Sequence, residues 1–356
     1  MKTIKGPGIF LAQFADDTAP FDTLDGLAGW VARLGFAGVQ IPTWDDRLID
    51  IQRAAESQDY CDEIKGILAA QGLELTELCS HPIGHMVAVH PAYDRAMDHI
   101  APPAVRGDPA ARQAWAVRHM EQCAEASHRL GLTAHVTFSG SLLWPYLYPG
   151  MWRPAGIIDE GFAELTRRWR PLLDRFDVAG VDVCYEVHAG EDIHDGRTFE
   201  RFLDGVNEHS RCRILFDPSH FVLQQLDYLE YIDLYHEFIR VFHVKDAEFA
   251  PTGRQGTYGG YANWVDRAAR FRSLGDGDVD FAKIFSKLTA YGYDGWATLE
   301  WECCLKHPEQ GAAEGAAFIR NHVIRVADRV FASDATPEPY PGQNRADLGL
   351  TAPRQR

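Results

Sequence analysis

Four side chains able to hold a hard cation stand at the ends of short apolar runs: Glu186, Asp217, His243 and Glu300. The runs share one design, Val183-Cys184-Tyr185-Glu186, Ile214-Leu215-Phe216-Asp217, Arg240-Val241-Phe242-His243 and Ala297-Thr298-Leu299-Glu300. Two glutamates, an aspartate and an imidazole form a mostly oxygen, moderately hard ligand set. That set suits Mn²⁺ first, with Mg²⁺, Co²⁺, Fe²⁺ or Zn²⁺ as alternatives. Three carboxylates gathered without a cation would repel one another strongly. A divalent ion is what such a grouping is for.

For these residues to meet, the runs must be neighbouring strands. Short apolar runs are the signature of buried parallel strands, and in a β/α barrel the C-terminal strand ends face the active site. Strands are expected at 9–14, 37–42, 73–79, 132–138, 181–188, 213–217, 239–244 and 296–301. Helical spacing falls between them at 22–34, 51–71, 109–130, 159–176, 197–209, 221–237, 279–290 and 310–330, and Gly35, Gly72 and Gly131 stop the first three. Eight strand–helix units predict an α/β fold, a (β/α)8 TIM barrel, with long loops after strands 3, 4 and 7 (80–108, 139–157 and 247–275). The expectation is a single barrel domain over 1–331 and a C-terminal tail over 332–356 that wraps the surface or is disordered.

Around the four ligand candidates lies a second group. His188 shares strand parity with Glu186, His220 follows Asp217 by three residues, and Lys245 follows His243. His188 and His220 are candidates for substrate hydroxyls, or for orienting a ligand. Lys245 is a candidate for polarising a carbonyl, or for an ion pair with Asp246 or Glu248. Glu302 has the parity of Glu300 and competes with it as the ligand. His81 and Trp144, on the loops after strands 3 and 4, and Arg272, before the seventh helix, complete the substrate-binding candidates. Aromatic residues near strand ends (Phe14, Trp44, Trp144, Tyr146, Tyr258, Trp264 and Trp301) suit a carbohydrate lining. The glycine-containing stretch 272–280 carries Asp276, Asp278 and Asp280, which disfavours a phosphate there.

Composition narrows the class. A net charge of −16 argues against a nucleic-acid partner, and no apolar run is long enough for a membrane span. The seven cysteines include no C-x-x-C pair, so free thiols are expected. The N-terminal residues lack the long apolar stretch of a signal peptide, which makes a cytoplasmic location the expectation. A homo-oligomer is compatible with a barrel of this size, with no residue that demands one.

The combination Tyr185-Glu186-Val187-His188, Phe216-Asp217-Pro218-Ser219-His220, Phe242-His243-Val244-Lys245-Asp246 and Gly295-Trp296-Ala297-Thr298-Leu299-Glu300 resembles the sugar phosphate isomerase/epimerase family. These are xylose isomerase-like TIM barrels that include ketose 3-epimerases and inosose dehydratase. The resemblance implies a metal quartet of Glu186, Asp217, His243 and Glu300, with Glu186 and Glu300 as catalytic proton carriers. It further implies a divalent cation acting as Lewis acid toward a sugar or keto-sugar enediolate. Proton return to the opposite face gives epimerisation, return to the neighbouring carbon gives isomerisation, and loss of a β-substituent gives a lyase or dehydratase acting on a 3-oxo-glycoside or inosose. A non-catalytic sugar-binding subunit is the reading outside enzymology. The long insertions and Glu302 depart from the compact epimerases.

Overall fold

The computed structural model describes residues 3–259, 261–327, 344 and 347–350. Its strands in chain order are β1 (Lys5–Phe10), β2 (Gly38–Pro42), β3 (Glu74–Cys79), β4 (Ala134–Thr137), β5 (Asp182–Glu186), β6 (Cys212–Phe216), β7 (Ile239–Val244), β8 (Asp246–Phe249), β9 (Ala269–Arg272) and β10 (Trp296–Leu299). Eight of them are parallel and close into a barrel in the order β1-β10-β7-β6-β5-β4-β3-β2, a TIM barrel as expected. The remaining pair, β8 and β9, forms an antiparallel hairpin inside the insertion after β7, where a plain loop was expected.

Alternation along the strands fills two layers of core. Outward residues such as Val39, Ile41, Val183, Ile214 and Phe242 pack under the helices, while Phe10, Cys79, Val136, Cys184, Leu215 and Val241 fill the barrel interior. The helices begin and end where their residues dictate. Thr23 Oγ1 accepts from the Gly26 amide at 3.2 Å to open Leu24–Leu34, and Gly35 closes it at a φ of 90°. Asp108 Oδ1 accepts from Ala110 and Ala111 at 3.1 and 3.0 Å to open Pro109–Leu130.

The departures from expectation have local causes. The first strand is Lys5–Phe10 rather than 9–14, because pairing of Lys5 with Trp296 and of Gly8 with Thr298 recruits Lys5-Gly6-Pro7-Gly8 despite its poor strand propensity. Gly8 is required there: a Cβ would sit 2.9 Å from Thr298 Oγ1. The helix expected at 51–71 breaks at Ser57, whose hydroxyl accepts from Tyr60 at 3.2 Å and caps a new helix, Gln58–Ala70. The one expected at 221–237 divides into Pro218–Gln224 and Tyr228–Tyr235, with Gln225 at a φ of 61° and Asp227 capping the second piece. The last helix is Pro308–His322, shorter than 310–330. Contacts divide the chain after Ile324, and the expected tail at 332–356 lies outside the described residues except for 344 and 347–350. All seven cysteines are free, five of them buried. Among the described residues no helix is long and apolar enough to cross a membrane.

Two histidines that the sequence did not single out are locked into the core. His135 is fully buried with Nε2 2.7 Å from Ser80 Oγ, and His119 Nε2 lies 3.1 Å from Thr43 Oγ1. Burial pulls His119 down to about 4 and His135 down to about 3. Their folded-state values are depressed, so the stability they contribute is present above about pH 6.5 and is lost as pH falls toward those values. Urea midpoints are therefore expected to fall between pH 6.5 and 4.5, and His135→Asn should flatten part of that slope; an unchanged slope would place the acid lability elsewhere.

Candidate metal centre

Each ligand candidate is delivered by the end of a barrel strand. Glu186 is the last residue of β5, Asp217 and Glu300 follow β6 and β10 directly, and His243 lies one residue before the end of β7. One ligand atom from each falls within 4.8 Å of the others, and all four residues are buried. Asp217 also opens the helix Pro218–Gln224, where its Oδ1 accepts from the Ser219 amide at 2.8 Å. That bond commits one oxygen to the fold and turns the other into the cluster. Asp217 Oδ2 and Glu186 Oε1 are buried with no hydrogen bond among the described residues. Both are approached by His220 Nε2 without a well-formed hydrogen bond, and carboxylate oxygens left so are what a cation site offers.

Cationic and imidazole groups crowd the same space. His81 Nε2 is 3.0 Å from Glu186 Oε2. His220 Nε2 lies 3.2 Å from Glu186 Oε1 and 3.3 Å from Asp217 Oδ2. His243 Nδ1 is 2.8 Å from Glu300 Oε2. Lys245 Nζ, buried, is 3.5 Å from Glu300 Oε2, 3.4 Å from Glu302 Oε2 and 3.8 Å from Asp217 Oδ2.

Burial alone would push every carboxyl upward, yet the outcome differs by residue. For Glu186 burial is outweighed by His81 and His220, which hold it well below the usual carboxylate range. For Glu300 burial is likewise outweighed, by Lys245 and His243. Asp217 goes the other way: burial prevails over His220 and raises it. His220 is lifted to about 9 because Asp217 overcomes the burial that would lower it. His188 is driven well below its ordinary value by burial and the neighbouring His220. The site thus holds two ionised glutamates, a protonated lysine and imidazolium, and one unprotonated imidazole.

A model of the xylose isomerase-like TIM barrels matches residues 28–322. The chain belongs to that family. An inosose dehydratase of Bacillus velezensis is 27% identical over 123 residues, which is 35% of this chain and 41% of that protein. The chain thus spans less than half the length of that relative. A xylose isomerase domain protein from Planctomyces limnophilus shares the fold with a TM-score of 0.61 and 19% identity, covering 90% of this chain and 98% of that one. A 3-keto-D-glucoside 4-epimerase from E. coli does so with a TM-score of 0.60 and 16% identity, covering 90% and 100%.

Within this family barrel the other candidates fall at graded distances from the cluster. His81 and His220 touch its carboxylates, and Lys245 bridges Glu300 and Glu302 rather than pairing with Asp246 or Glu248. Glu302 reaches Lys245, with its side chain 41% exposed, and Glu300 supplies the clustered atom. His188 packs between Phe138 and His220 at ring distances of 4.7 and 4.0 Å, with a buried Nδ1 that has no hydrogen-bond partner among the described residues. Trp144 and Arg272 are not brought to the cluster: Trp144 packs on His194, and the Arg272 guanidinium pairs with Glu248.

The loops over the mouth are fastened by acids. Glu191 binds His85 and the Gly140 amide, while Asp192 accepts from Leu142 at 2.7 Å and Leu143 at 2.8 Å. Asp246 accepts from Ala247, Gly275, Gly277 and Val279 at 2.9, 2.9, 3.0 and 3.2 Å and closes the base of the β8–β9 insertion. A hollow of about 1210 Å³ opens at the opposite, N-terminal end of the barrel and is lined by strand-start residues such as Lys5, Glu74 and Trp296; no ligand candidate reaches it.

Sequence reasoning missed three polar residues. Gln13 Nε2 donates to Glu300 Oε1 at 3.2 Å, Gln40 Oε1 faces His243 Nε2 at 3.0 Å, and Glu77 Oε2 accepts from Gln40 Nε2 at 3.1 Å. The available signal was a glutamine in the middle of the apolar run Gly38-Val39-Gln40-Ile41. Glu300→Gln is expected to weaken Mn²⁺ binding by about 10–100-fold in calorimetric titration, and Glu302→Gln to leave it nearly unchanged; the reverse order would hand the ligand role to Glu302.

Proposed function

We propose that this protein is a divalent-metal-dependent enzyme that moves a proton at the carbon beside a carbonyl in a sugar or keto-sugar, with epimerisation or isomerisation as its overall reaction. The observation that carries the reading is the pair of buried glutamates, Glu186 and Glu300, each kept ionised by its own cationic or imidazole neighbours and each offering an oxygen to one cluster. Glu186, Asp217, His243 and Glu300 would hold the cation, with Mn²⁺ first among candidates, and it would supply Lewis acidity. One of Glu186 and Glu300, ionised at neutral pH, takes the α-proton, and the other, after gaining a proton from solvent, delivers that proton to the opposite face of the carbon. His81 and His220 orient Glu186, while Gln13 and Lys245 orient Glu300. His188, kept neutral by burial and by His220, would exchange a hydrogen bond with a substrate hydroxyl through its unpartnered Nδ1.

The local charges support an uncharged substrate. Lys245 is engaged by Glu300 and Glu302, and Arg270 and Arg272 by Glu248, so these cations are already paired. The net charge of −16 adds no attraction for an anion and speaks against nucleic acid.

Elimination is the second reading, favoured by the likeness to inosose dehydratases. It shares the first proton abstraction and differs in what leaves: the departing oxygen of an inosose or 3-oxo-glycoside takes a proton from solvent and leaves as water or an aglycone. A sugar-binding subunit without catalysis would share the ligands and do neither.

The test is incubation of the Mn²⁺-loaded protein with a panel of keto-sugars and inososes in D₂O, followed by NMR. Deuterium at the α-carbon without loss of water or aglycone is expected, and Glu186→Gln should slow exchange by about 10²–10⁴-fold. Release of water or aglycone would select elimination; sugar binding with no exchange would leave only the binding role.

A further inference from the structure

We propose that Gln40, oriented by Glu77, is a positioning residue that keeps the proton of His243 on Nε2, so that Nδ1 is the nitrogen presented to the cation. The inference rests on the metal reading above. It starts from the imidazole's two nitrogens, which face opposite ways: Nδ1 toward Glu300 Oε2 at 2.8 Å and Nε2 toward Gln40 Oε1 at 3.0 Å. An imidazole that ligates through one nitrogen must carry its proton on the other, and the partner of that second nitrogen decides the tautomer.

A glutamine cannot decide by itself, since its amide can present either a carbonyl oxygen or an NH₂ group. Glu77 removes the ambiguity. Its Oε2 accepts from Gln40 Nε2 at 3.1 Å; burial raises the Glu77 carboxyl, while the hydrogen bonds from Thr76 and Gln40 favour its ionised form, which only accepts. The Gln40 NH₂ must therefore turn to Glu77, its oxygen must turn to His243, and His243 must donate from Nε2. The reversed amide would set the Gln40 oxygen against the Glu77 carboxylate.

The backbone is shaped to make this contact. Val39 pairs with Leu75 and Ile41 with Leu78, so one residue of β2, Gln40, stands opposite two of β3, Thr76 and Glu77. This is a β-bulge, and bulges beside active sites re-aim side chains. Without the extra residue, Glu77 would share the outward parity of Leu75. With it, Glu77 enters the interior together with Cys79 and meets Gln40. Gln40 is fully buried, and Glu77 is 4% exposed at the edge of the N-terminal hollow, positions where an amide and a carboxyl are costly unless they have a polar task. The contact with His243 supplies that task.

The full-length protein decides the matter by Mn²⁺ titration calorimetry, with melting of the metal-free forms measured in parallel. Gln40→Met is expected to weaken Mn²⁺ binding about 10–100-fold. Glu77→Met, which frees the Gln40 amide to reverse, should weaken it by about tenfold, whereas Glu77→Gln, which keeps a carbonyl oxygen for that amide, should stay within about threefold. In ¹⁵N-histidine spectra of the Zn²⁺-loaded protein, where the cation replaces the proton that Nδ1 shares with Glu300, the signal lost in His243→Asn should report a protected Nε2 proton in the wild type and a freely exchanging one in Gln40→Met. Lowered metal-free stability with unchanged Mn²⁺ affinity would make Gln40 a packing residue and overturn the proposal. Should Gln40→Met fail to fold, the Glu77 pair decides alone: equal affinities in Glu77→Met and Glu77→Gln overturn it. A wild type that takes up none of Mn²⁺, Mg²⁺, Co²⁺ or Zn²⁺ would remove the metal reading and this one with it. A wild type that binds beside an equally tight Gln40→Met would remove the relay only.

Discussion

The constraint on which this molecule turns is the mutual repulsion of three carboxylates held, with an imidazole, within 4.8 Å inside a protein. Like charges this close in a low-dielectric setting cannot persist without compensation. The chain supplies it from several directions: Lys245 from below the hairpin, His220 between Glu186 and Asp217, His81 from the loop after β3, and His243 against Glu300. The barrel is what lets four distant segments deliver their strand ends to one place, and the compensation is what lets those ends stay there ionised.

The same compensation sorts the acids by task. Glu186 and Glu300 are depressed by their partners, whereas Asp217 is raised by burial. Residues of one chemical type thus acquire different proton affinities from their surroundings, the usual way a single site comes to hold both bases and acids. Family membership gives the architecture, and the distances around Glu186, Glu300 and Lys245 give the chemistry its particulars.

Much of this was legible from residue order alone. A buried parallel strand writes its position as a short apolar run, and a hard-ligand residue at its end is conspicuous against it; that made Glu186, Asp217, His243 and Glu300 readable one by one and the barrel readable from their repetition. Glu300 could not be separated from Glu302 in this way, because both have the same parity and only the turn after β10 decides which side chain points inward. Gln40 and Glu77 escaped notice for a related reason. Their meaning lies in contacts across 37 and 203 positions of sequence and in a one-residue bulge that no periodicity announces. The β8–β9 hairpin was hidden because Glu248, Arg270 and Arg272 pair with each other across it, giving a charged pattern that resembles a solvated loop. The helix breaks at Ser57 and Gln225 were written in capping residues that an apolar period overrode.

Asp246 clasps the two ends of the β8–β9 insertion through four backbone amides, while residues far from the clasp, Tyr258 and Tyr261 among them, stand exposed. Mechanical separation of this kind has an evolutionary side. Changes at the outer end of the excursion need not propagate to the strand that bears His243, so descendants of this chain are free to try new outer contours over an unaltered cluster of acids and imidazoles.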